Sequence, residues 1–512
     1  MGKTTEGLRQ FCVRAALFLA LCLFAGLTAA GMLITARLCR QSWSHEAVVF
    51  LHDALPVTLA LTALLLFAVL ALHRLLQRFA GVRLSAALLF AWTAGTLVLV
   101  LGANVSQMYD FAYVLEGAEL FAAGNYKPLT IDYFNVYSYQ LGICLPMEIL
   151  KRLLPGIDLS LAMQGMNVLF SAGTAGALAA LCQVIFSREE ARAAVLLYVL
   201  FLPMALQCIF VYGTLPMLMM TALAVLCFAL YLKRRRARFG LAYAGCIAVA
   251  CMLKPNAAVP LIALTICAAL DWLESRDGRL LGLAALGVAL SVGLIRLVIA
   301  QYELRAGVTL TGDVSLLARM VMGLQRGGAQ AGWFNRYTEQ FFPFDVTAAQ
   351  ERAIASADLA ARLAELRADP GMALAFFRDK LLSQWLEPSY GAMWYGDLCA
   401  HTGALAEGTK AIFEDVGAIR AALEWYMGLY QKMMYALCCA GHVSLLRDRR
   451  ANLPALALAV CALCGCLYHM LFEAKAQYIY MYAVLMMPVA ARGLCAIGGW
   501  LRSLLAVATT KP

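Results

Sequence analysis

Runs of about twenty apolar residues recur along almost the whole chain, and this pattern constrains the fold more than any other feature of the sequence. A helix needs about 20 mostly apolar residues to cross the hydrocarbon core of a bilayer. Of all residues, 63% are hydrophobic and only 14% are charged, whereas soluble domains are about half apolar and a quarter charged. The sequence therefore predicts an all-α polytopic membrane protein.

We predict about twelve transmembrane helices. Residues 239–274 are apolar but interrupted by Lys254-Pro255-Asn256. Because proline cannot continue a helix, this stretch is counted as two spans that meet at a polar turn. The other ten predicted spans are 11–36, 54–78, 82–104, 160–186, 192–210, 213–232, 280–300, 425–446, 452–472 and 476–498.

The segment 138–153 decides the topology, because counting it as a span would invert every helix after it. Lys and Arg concentrate in cytoplasmic loops. If 138–153 does not span, the basic clusters at 233–238 and 447–450 both face the cytoplasm. We therefore predict a juxtamembrane or re-entrant helix on the outer face, with both termini in the cytoplasm.

On this topology the chain divides into five segments. They are the N-terminal transmembrane helices (1–104), a first large outer loop with juxtamembrane helices (105–159), a transmembrane core (160–300), a long extracytoplasmic helical loop (301–424) and the C-terminal transmembrane helices (425–512).

The long loop carries signals of helices rather than of disorder. Thr347 with Gln350 predicts a capping box, and Asp369 before a proline predicts a second helix start. We expect Trp385 and Trp394 at a membrane interface, where amphipathic rings are enriched.

Several classes of function are not indicated. The largest basic cluster, Lys233 to Arg238, lies between two apolar runs, which is typical of a cytoplasmic anchor rather than of a nucleic-acid surface. The sequence has no Gly-rich phosphate loop followed by Lys-Ser/Thr and no Gly-x-Ser-x-Gly elbow. The six histidines have no metal-ligand spacing to a cysteine or carboxylate, so we predict no metal ligands.

Asp110 is the strongest candidate for chemistry, because it follows the third predicted span by a few residues. On a helix, Asp110, Tyr113 and Glu116 share one face, and Phe111, Leu115, Ala118 and Phe121 share another. We predict that the apolar stripe lies on lipid and that the acids face a cavity, where a carboxylate could act as general base or help hold a metal. A solvated acidic loop that caps a helix explains the same spacing.

Lys254 is the second candidate. A basic residue beside a proline break at a helix end can pair with a phosphate, and the helix start near Asn256 would add backbone donors. A lysine that snorkels to water gives the same pattern.

Further candidates follow later in the chain. Glu473 and Lys475 lie at the outer end of the penultimate predicted span, 452–472, and could simply border the membrane. Basic residues of the long loop are candidate phosphate contacts, although such scattered residues also suit a solvated surface; they are Arg319, Arg326, Arg336 and Lys380.

Taken in chain order, these segments resemble the GT-C superfamily of membrane glycosyltransferases. They are most similar to bacterial relatives of the polyprenyl-phosphate-mannose protein mannosyltransferases and of the aminoarabinose transferases. The order of the segments carries the likeness from about residue 100 onward, so the first two spans are expected to be an addition. The matching residues are Asp110, 118–126, 137–142, 253–256, 322–324 before Gly332, 369–388 and 473–478.

The resemblance implies transfer of a sugar from a polyprenyl phosphate to a cell-envelope acceptor at the outer face of the plasma (inner) membrane. It implies that Asp110 is catalytic, that no nucleotide cofactor is needed, and that a divalent metal would be compatible. The residues expected to bind the donor phosphate or the acceptor are Lys254, Asn256, Lys475, Gln477, Tyr478, Glu116, Tyr139 and Gln140.

The chain departs from the family pattern at two positions. Asp110 is followed by Phe111-Ala112 where many relatives have a second acid, and Gln477 stands where the family usually has an arginine. The second departure removes a usual phosphate partner. Two outcomes stay open: Lys254 or Lys475 substitutes for it, or the activity is altered or lost.

Two other functions remain open. A polysaccharide polymerase or O-antigen ligase also has about twelve spans and one long late outer loop. Catalytically essential arginines confined to 301–424, with Asp110 dispensable, would favour it. A lipid-linked sugar flippase or transporter would have charges near mid-membrane and repeated halves, and neither is prominent here.

Overall fold

A computed structural model describes residues 2–40, 46–78, 82–130, 133–311, 314–342, 346–448 and 452–510. Within these ranges the chain forms 22 α-helices, short 3-10 turns and one two-stranded hairpin. Arg449 and Arg450 of the predicted basic cluster lie outside the described residues.

The elements from the N-terminus to residue 234 are α1 (Gly2–Leu33), β1 (Ile34–Arg40), β2 (Glu46–His52), α2 (Leu55–Arg78), α3 (Val82–Ala103), α4 (Asp110–Ala122), α5 (Tyr133–Val136), α6 (Leu141–Leu153), α7 (Leu159–Ile185), α8 (Arg188–Leu200), α9 (Leu202–Gln207) and α10 (Thr214–Arg234). The later elements are α11 (Ala237–Leu253), α12 (Ala258–Ser275), α13 (Arg279–Ala306), α14 (Leu316–Leu324), α15 (Ala348–Ala368), α16 (Pro370–Trp385), α17 (Ala392–Thr402), α18 (Glu407–Phe413), α19 (Ala418–Arg447), α20 (Leu453–Leu471), α21 (Ala476–Leu485) and α22 (Met487–Thr510).

Eight of the described helices are long and apolar enough to cross a membrane, namely α1, α2, α3, α7, α10, α12, α13 and α20. A ninth span results if α21 and α22, which meet at a bend of 52°, are taken together. The chain is therefore a helical multi-pass membrane protein. The predicted count of twelve also requires α8, α11 and α19 to cross, and that higher count stays a prediction.

The N-terminal region contains a hairpin that the apolar pattern did not predict. The first predicted span of 11–36 was too long, because α1 ends at Leu33 and Ile34 begins β1, opposite His52 of β2. Free backbone groups of the hairpin bond to later segments: the Ala36 N–H donates to the Leu386 carbonyl at 3.0 Å, and that of Val48 donates to Ala329 at 3.2 Å. The hairpin is thus joined to the long polar segment.

The predicted span 192–210 was also wrong in its bounds. Helix α8 ends at Leu200, and α9 begins after Phe201 with Pro203 in its first turn. A proline has no N–H to donate and suits the first turn of a helix rather than its interior. The helix is therefore interrupted at Phe201, where one continuous helix was predicted.

The two predicted helix starts in the long segment are confirmed. The Thr347 hydroxyl accepts from the Gln350 N–H at 3.3 Å, and the Gln350 amide oxygen accepts from the Thr347 N–H at 2.9 Å. Asp369 accepts from the Met372 N–H at 2.9 Å. The interface position predicted for Trp385 was wrong, because this side chain is 1% exposed within the core.

The apolar stripe of α4 packs on protein rather than on lipid, which corrects the prediction. Leu115 is 9% exposed, and Ala118 and Phe121 are each 0% exposed. Phe121 contacts the rings of Phe134 and Tyr302, with centroids 5.4 Å and 4.9 Å away. Helix α4 therefore lies within the fold, against α6.

Helix α6 covers most of the segment 138–153 and has 13 residues, about 20 Å at about 1.5 Å per residue. It is not among the eight candidate spans. Its buried Glu148 accepts hydrogen bonds from Tyr302 at 2.5 Å, Arg305 at 2.6 Å and Arg152 at 2.8 Å. This carboxylate joins α6 to α13.

We expect Glu148→Gln to lower the free energy of unfolding by about 3 kcal/mol, because it leaves two guanidinium groups without their carboxylate. Thermal unfolding in detergent measures the loss. The exposed Glu414 provides the matched control, Glu414→Gln, which should unfold like the wild type. Equal melting temperatures for both variants would contradict a stabilising role for Glu148.

Candidate functional site

A cavity of about 790 Å³ lies where seven separate segments of the described chain meet. Eleven of its 25 lining residues are aromatic, and eight are charged, four of each sign. The charged residues are Glu46, Asp110, Arg319, Arg326, Arg336, Glu339, Glu473 and Lys475. The aromatic residues are Tyr109, Phe111, Tyr133, Tyr137, Tyr139, Tyr212, Phe334, Phe342, Trp394, Tyr395 and Tyr478.

Asp110 is the first residue of α4, and the residue before it has a strained backbone. Tyr109 has φ 50° and ψ −132°, a conformation that costs a non-glycine residue about 1–3 kcal/mol and persists only where its surroundings enforce it. The Tyr395 hydroxyl supplies such a restraint. It accepts from the Met108 N–H at 2.7 Å and donates to the Met108 carbonyl at 2.8 Å. The strained turn places Asp110 in the cavity wall.

Tyr212 connects Asp110 to the next group of polar side chains. Its hydroxyl donates to Asp110 Oδ2 at 3.2 Å and accepts from Gln140 Nε2 at 2.7 Å. The Lys254 ammonium lies 4.5 Å from the centroid of the Tyr212 ring and donates to Thr214 Oγ1 at 2.7 Å. One tyrosine therefore contacts both principal candidates from the sequence, Asp110 and Lys254.

Lys254 has an unusual environment for a lysine. The residue is 8% exposed, and burial lowers its pKa to about 7, with Lys475 lowering it further and Asp110 opposing the change. Burial disfavours the ammonium form because charge is poorly solvated there. At neutral pH this group is thus poised to gain a proton when an anion binds.

A second cavity, of about 460 Å³, adjoins the first. Seven residues line both, including Tyr139, Tyr212 and Tyr478, whereas Gln140, Lys254 and Asn256 line only the second. The other shared residues are Val314, Arg319, Met322 and Glu473. Asp110 and Lys254 therefore lie on opposite sides of one shared wall.

The turn between α20 and α21 supplies part of that wall. Lys380 is 0% exposed and fixes the turn by donating to the carbonyls of Gly323, Met470 and Phe472, the last two at 3.0 Å and 2.7 Å. Gly323 is required for this approach, because a Cβ there would lie 2.4 Å from the Phe472 carbonyl carbon. The suggested phosphate contact of Lys380 was wrong, since its ammonium is occupied by backbone.

Within this turn, burial raises the pKa of Glu473, and Lys475 opposes the change. The Tyr478 hydroxyl donates to Glu473 Oε2 at 3.2 Å. Lys475 pairs with Glu46 at 3.5 Å and lies 5.9 Å from the centroid of Trp394. Burial alone would lower the pKa of Lys475, but Glu46, Glu473 and Asp110 together raise it.

The structure brings most of the predicted residues together. Asp110, Tyr139, Lys475 and Tyr478 line the first cavity, and Gln140, Lys254 and Asn256 line the second. Two predicted residues line neither: Glu116 is exposed on α4, and Gln477 is half-buried on α21. Three arginines from the long polar segment, whose scattered spacing favoured a solvated surface over phosphate contacts, line the first cavity: Arg319, Arg326 and Arg336.

Sequence reasoning missed Glu46, Tyr212 and Trp394 as parts of the site. Glu46 begins β2 and reaches the cavity only because the hairpin folds back onto the later segments. Tyr212 lies in the short break between α9 and α10, beside Gly213 at φ 72°. Tyr212 could have been found, because it is a polar aromatic residue in the break between two apolar runs. No local pattern indicated Glu46.

One group among the described residues could hold a metal ion, formed by His73, Glu189 and Cys495. It does not line either cavity. Its members are far apart in the sequence, so a search for ligand spacing could not find them.

No protein-family model matches the sequence, and no curated protein is significantly similar to it.

Proposed function

We propose that this chain is a membrane glycosyltransferase of the GT-C type. It transfers a sugar from a polyprenyl-phosphate carrier to a cell-envelope acceptor at the outer face of the plasma membrane. The observation that carries the proposal is the pair of adjoining cavities, with a carboxylate in one, a buried lysine in the other and Tyr212 between them. Two substrates that react with each other need two such neighbouring sites.

The reaction is a single displacement. Asp110 accepts the proton of an acceptor hydroxyl, the acceptor oxygen attacks the anomeric carbon, and the bond from that carbon to the phosphate oxygen breaks. The polyprenyl phosphate leaves with the negative charge, which Lys254 stabilises from the second cavity. Lys475 adds positive charge on the acceptor side.

The linings suit these two occupants. Aromatic side chains give the first cavity flat apolar faces on which sugar rings can lie. The second cavity combines Lys254 and Arg352 with Leu316, Tyr468 and Phe472. A phosphate joined to a hydrocarbon chain requires this mixture of basic and apolar groups.

A transfer assay in liposomes tests the proposal. Purified protein is offered a panel of polyprenyl-phosphate sugars with an envelope extract as acceptor, and release of free polyprenyl phosphate is followed. Wild-type protein should release it from at least one donor. Folded protein that releases none from any donor, with or without acceptor, would contradict a transferase.

A polymerase or O-antigen ligase is the second candidate, and a specific observation favours it. Arg319, Arg326 and Arg336, all from the long segment, line the same cavity as Asp110. Such an enzyme takes a glycan from a polyprenyl diphosphate, so polyprenyl-diphosphate glycans belong in the same panel. Release that needs these arginines but not Asp110 would favour the polymerase or ligase.

A further inference from the structure

Three side chains from different helices converge at a point separate from both cavities. His73 lies near the end of α2, Glu189 in the first turn of α8 and Cys495 in α22. His73 Nε2 is 3.8 Å from Cys495 Sγ and 3.9 Å from Glu189 Oε1, and all three ligand atoms lie within 4.8 Å of one another. An imidazole, a thiol and a carboxylate thus face one small space.

A fourth polar group already occupies the edge of this space. Gln77 Nε2 lies 2.9 Å from His73 Nε2 and 2.7 Å from Glu189 Oε1. The nitrogen and oxygen of a side-chain amide exchange places when the amide turns by half a rotation. After such a turn the oxygen of Gln77 would face the same point as the other three groups.

We propose that His73, Glu189 and Cys495, with Gln77, bind a borderline divalent cation of the zinc class. Imidazole nitrogen, thiolate sulfur and carboxylate oxygen are the ligands that zinc takes, in tetrahedral geometry. From bond lengths of about 2.0 to 2.3 Å, neighbouring ligand atoms in such a site are about 3.5 Å apart. The two distances from His73, 3.8 and 3.9 Å, need to close by only a few tenths of an ångström. The third pair, Cys495 Sγ and the Glu189 carboxylate, lies within 4.8 Å and closes as the ion draws both ligands in.

The charges balance when the ion binds. Cys495 must lose its thiol proton to solvent, because the thiolate is the metal ligand. The thiolate and the Glu189 carboxylate then offset the two positive charges of the cation. Arg502, now 3.8 Å from Glu189 Oε1, is the group that has to move away; it is exposed near the end of α22 and free to do so.

The site has a structural rather than a catalytic position. Leu55 at the start of α2 follows the hairpin that reaches the first cavity, and His73 lies 18 residues further along the same helix, about 27 Å away at about 1.5 Å per residue. A bound ion would join the ends of α2, α8 and α22 there. We therefore expect it to change stability more than turnover.

Cobalt binding tests the inference, because cobalt replaces zinc and reports its ligands by absorption. Full-length protein in detergent, freed of metal by a chelator, is titrated with Co²⁺. We expect one equivalent to produce a thiolate-to-cobalt charge-transfer band with the visible bands of a four-coordinate ion, and zinc to remove both. Wild-type protein that gives no charge-transfer band would overturn the proposal.

Variants identify the ligands. Cys495→Ser should lose the charge-transfer band. Glu189→Gln should weaken cobalt binding by more than about 100-fold, because loss of an outer partner of a ligand already costs about 10- to 100-fold. Cys22→Ser, at an exposed cysteine of α1, should leave the charge-transfer band and the cobalt affinity unchanged. Zinc should raise the melting temperature of the wild type but not of Glu189→Gln. A band that persists in Cys495→Ser would assign cobalt to other cysteines and overturn the site.

Discussion

Replacing Asp110 by asparagine is expected to lower the turnover of sugar transfer by about 10²- to 10⁴-fold, the usual contribution of a positioned general base. Asparagine keeps the size of the side chain and an oxygen that can accept from Tyr212, but it cannot take a proton from an acceptor hydroxyl. Asp110 also lies at the start of α4, where only its charge, and not a side-chain cap, supports the helix. Stability should therefore change little.

The matched control lies on the same helix. Glu119 is half-buried and pairs with Lys151 at 3.4 Å, away from both cavities. Glu119→Gln makes the same carboxylate-to-amide change and should retain wild-type turnover. If Asp110→Asn lowers kcat with KM unchanged, it has removed an interaction made in the transition state. A kcat for Asp110→Asn equal to that of Glu119→Gln would show that Asp110 is not the base.

The sequence allowed the membrane helices to be predicted, because each is an apolar run long enough to be recognised alone. The caps at Thr347 and Asp369 were equally local and equally predictable. The hairpin was not, because Ile34 to Ala36 continue the apolar run of α1 and become a strand only through pairing with β2. The break at Phe201 was missed for the opposite reason: its proline lies inside a run of otherwise apolar residues.

The site divides in the same way. Asp110, Lys254 and Lys475 could be predicted because each is a charge at the edge of an apolar run. Their arrangement could not, since it depends on contacts between distant segments. The apolar face of α4 illustrates the limit: its periodicity was right, but it covers protein rather than lipid. An amphipathic pattern shows which face is covered and not what covers it.

Lys254→Met is expected to lower kcat/KM by about 10²- to 10³-fold, comparable to the loss of one donor to a developing oxyanion. The same substitution should also remove the decline of activity that the wild type is expected to show at alkaline pH. Only the ammonium form stabilises the leaving phosphate, and the pKa of Lys254 is lowered to about 7 by burial and by Lys475. In the wild type, kcat/KM should therefore fall as the pH rises above about 7. The decline in kcat should begin at a higher pH than the decline in kcat/KM, because a bound phosphate favours the protonated lysine.

Stability gives an independent readout with a definite sign. The pKa of Lys254 is lower in the folded protein than the ordinary value of 10.5, so the unfolded chain holds more protons between about pH 7 and 10.5. The contribution of this residue to stability therefore rises with pH across that window and is least favourable below about pH 7. Methionine removes the buried charge, so Lys254→Met should gain stability over the wild type at pH 6 and lose that advantage by pH 10.

Lys151→Met is the matched control for both measurements, because it removes a lysine from α6 that lies outside both cavities. It should keep the alkaline limb and the pH dependence of stability seen in the wild type. An alkaline limb that survives in Lys254→Met would assign the titration to another group. A variant that is stabilised at pH 6 yet keeps full transfer activity would make Lys254 a buried charge without a part in the reaction.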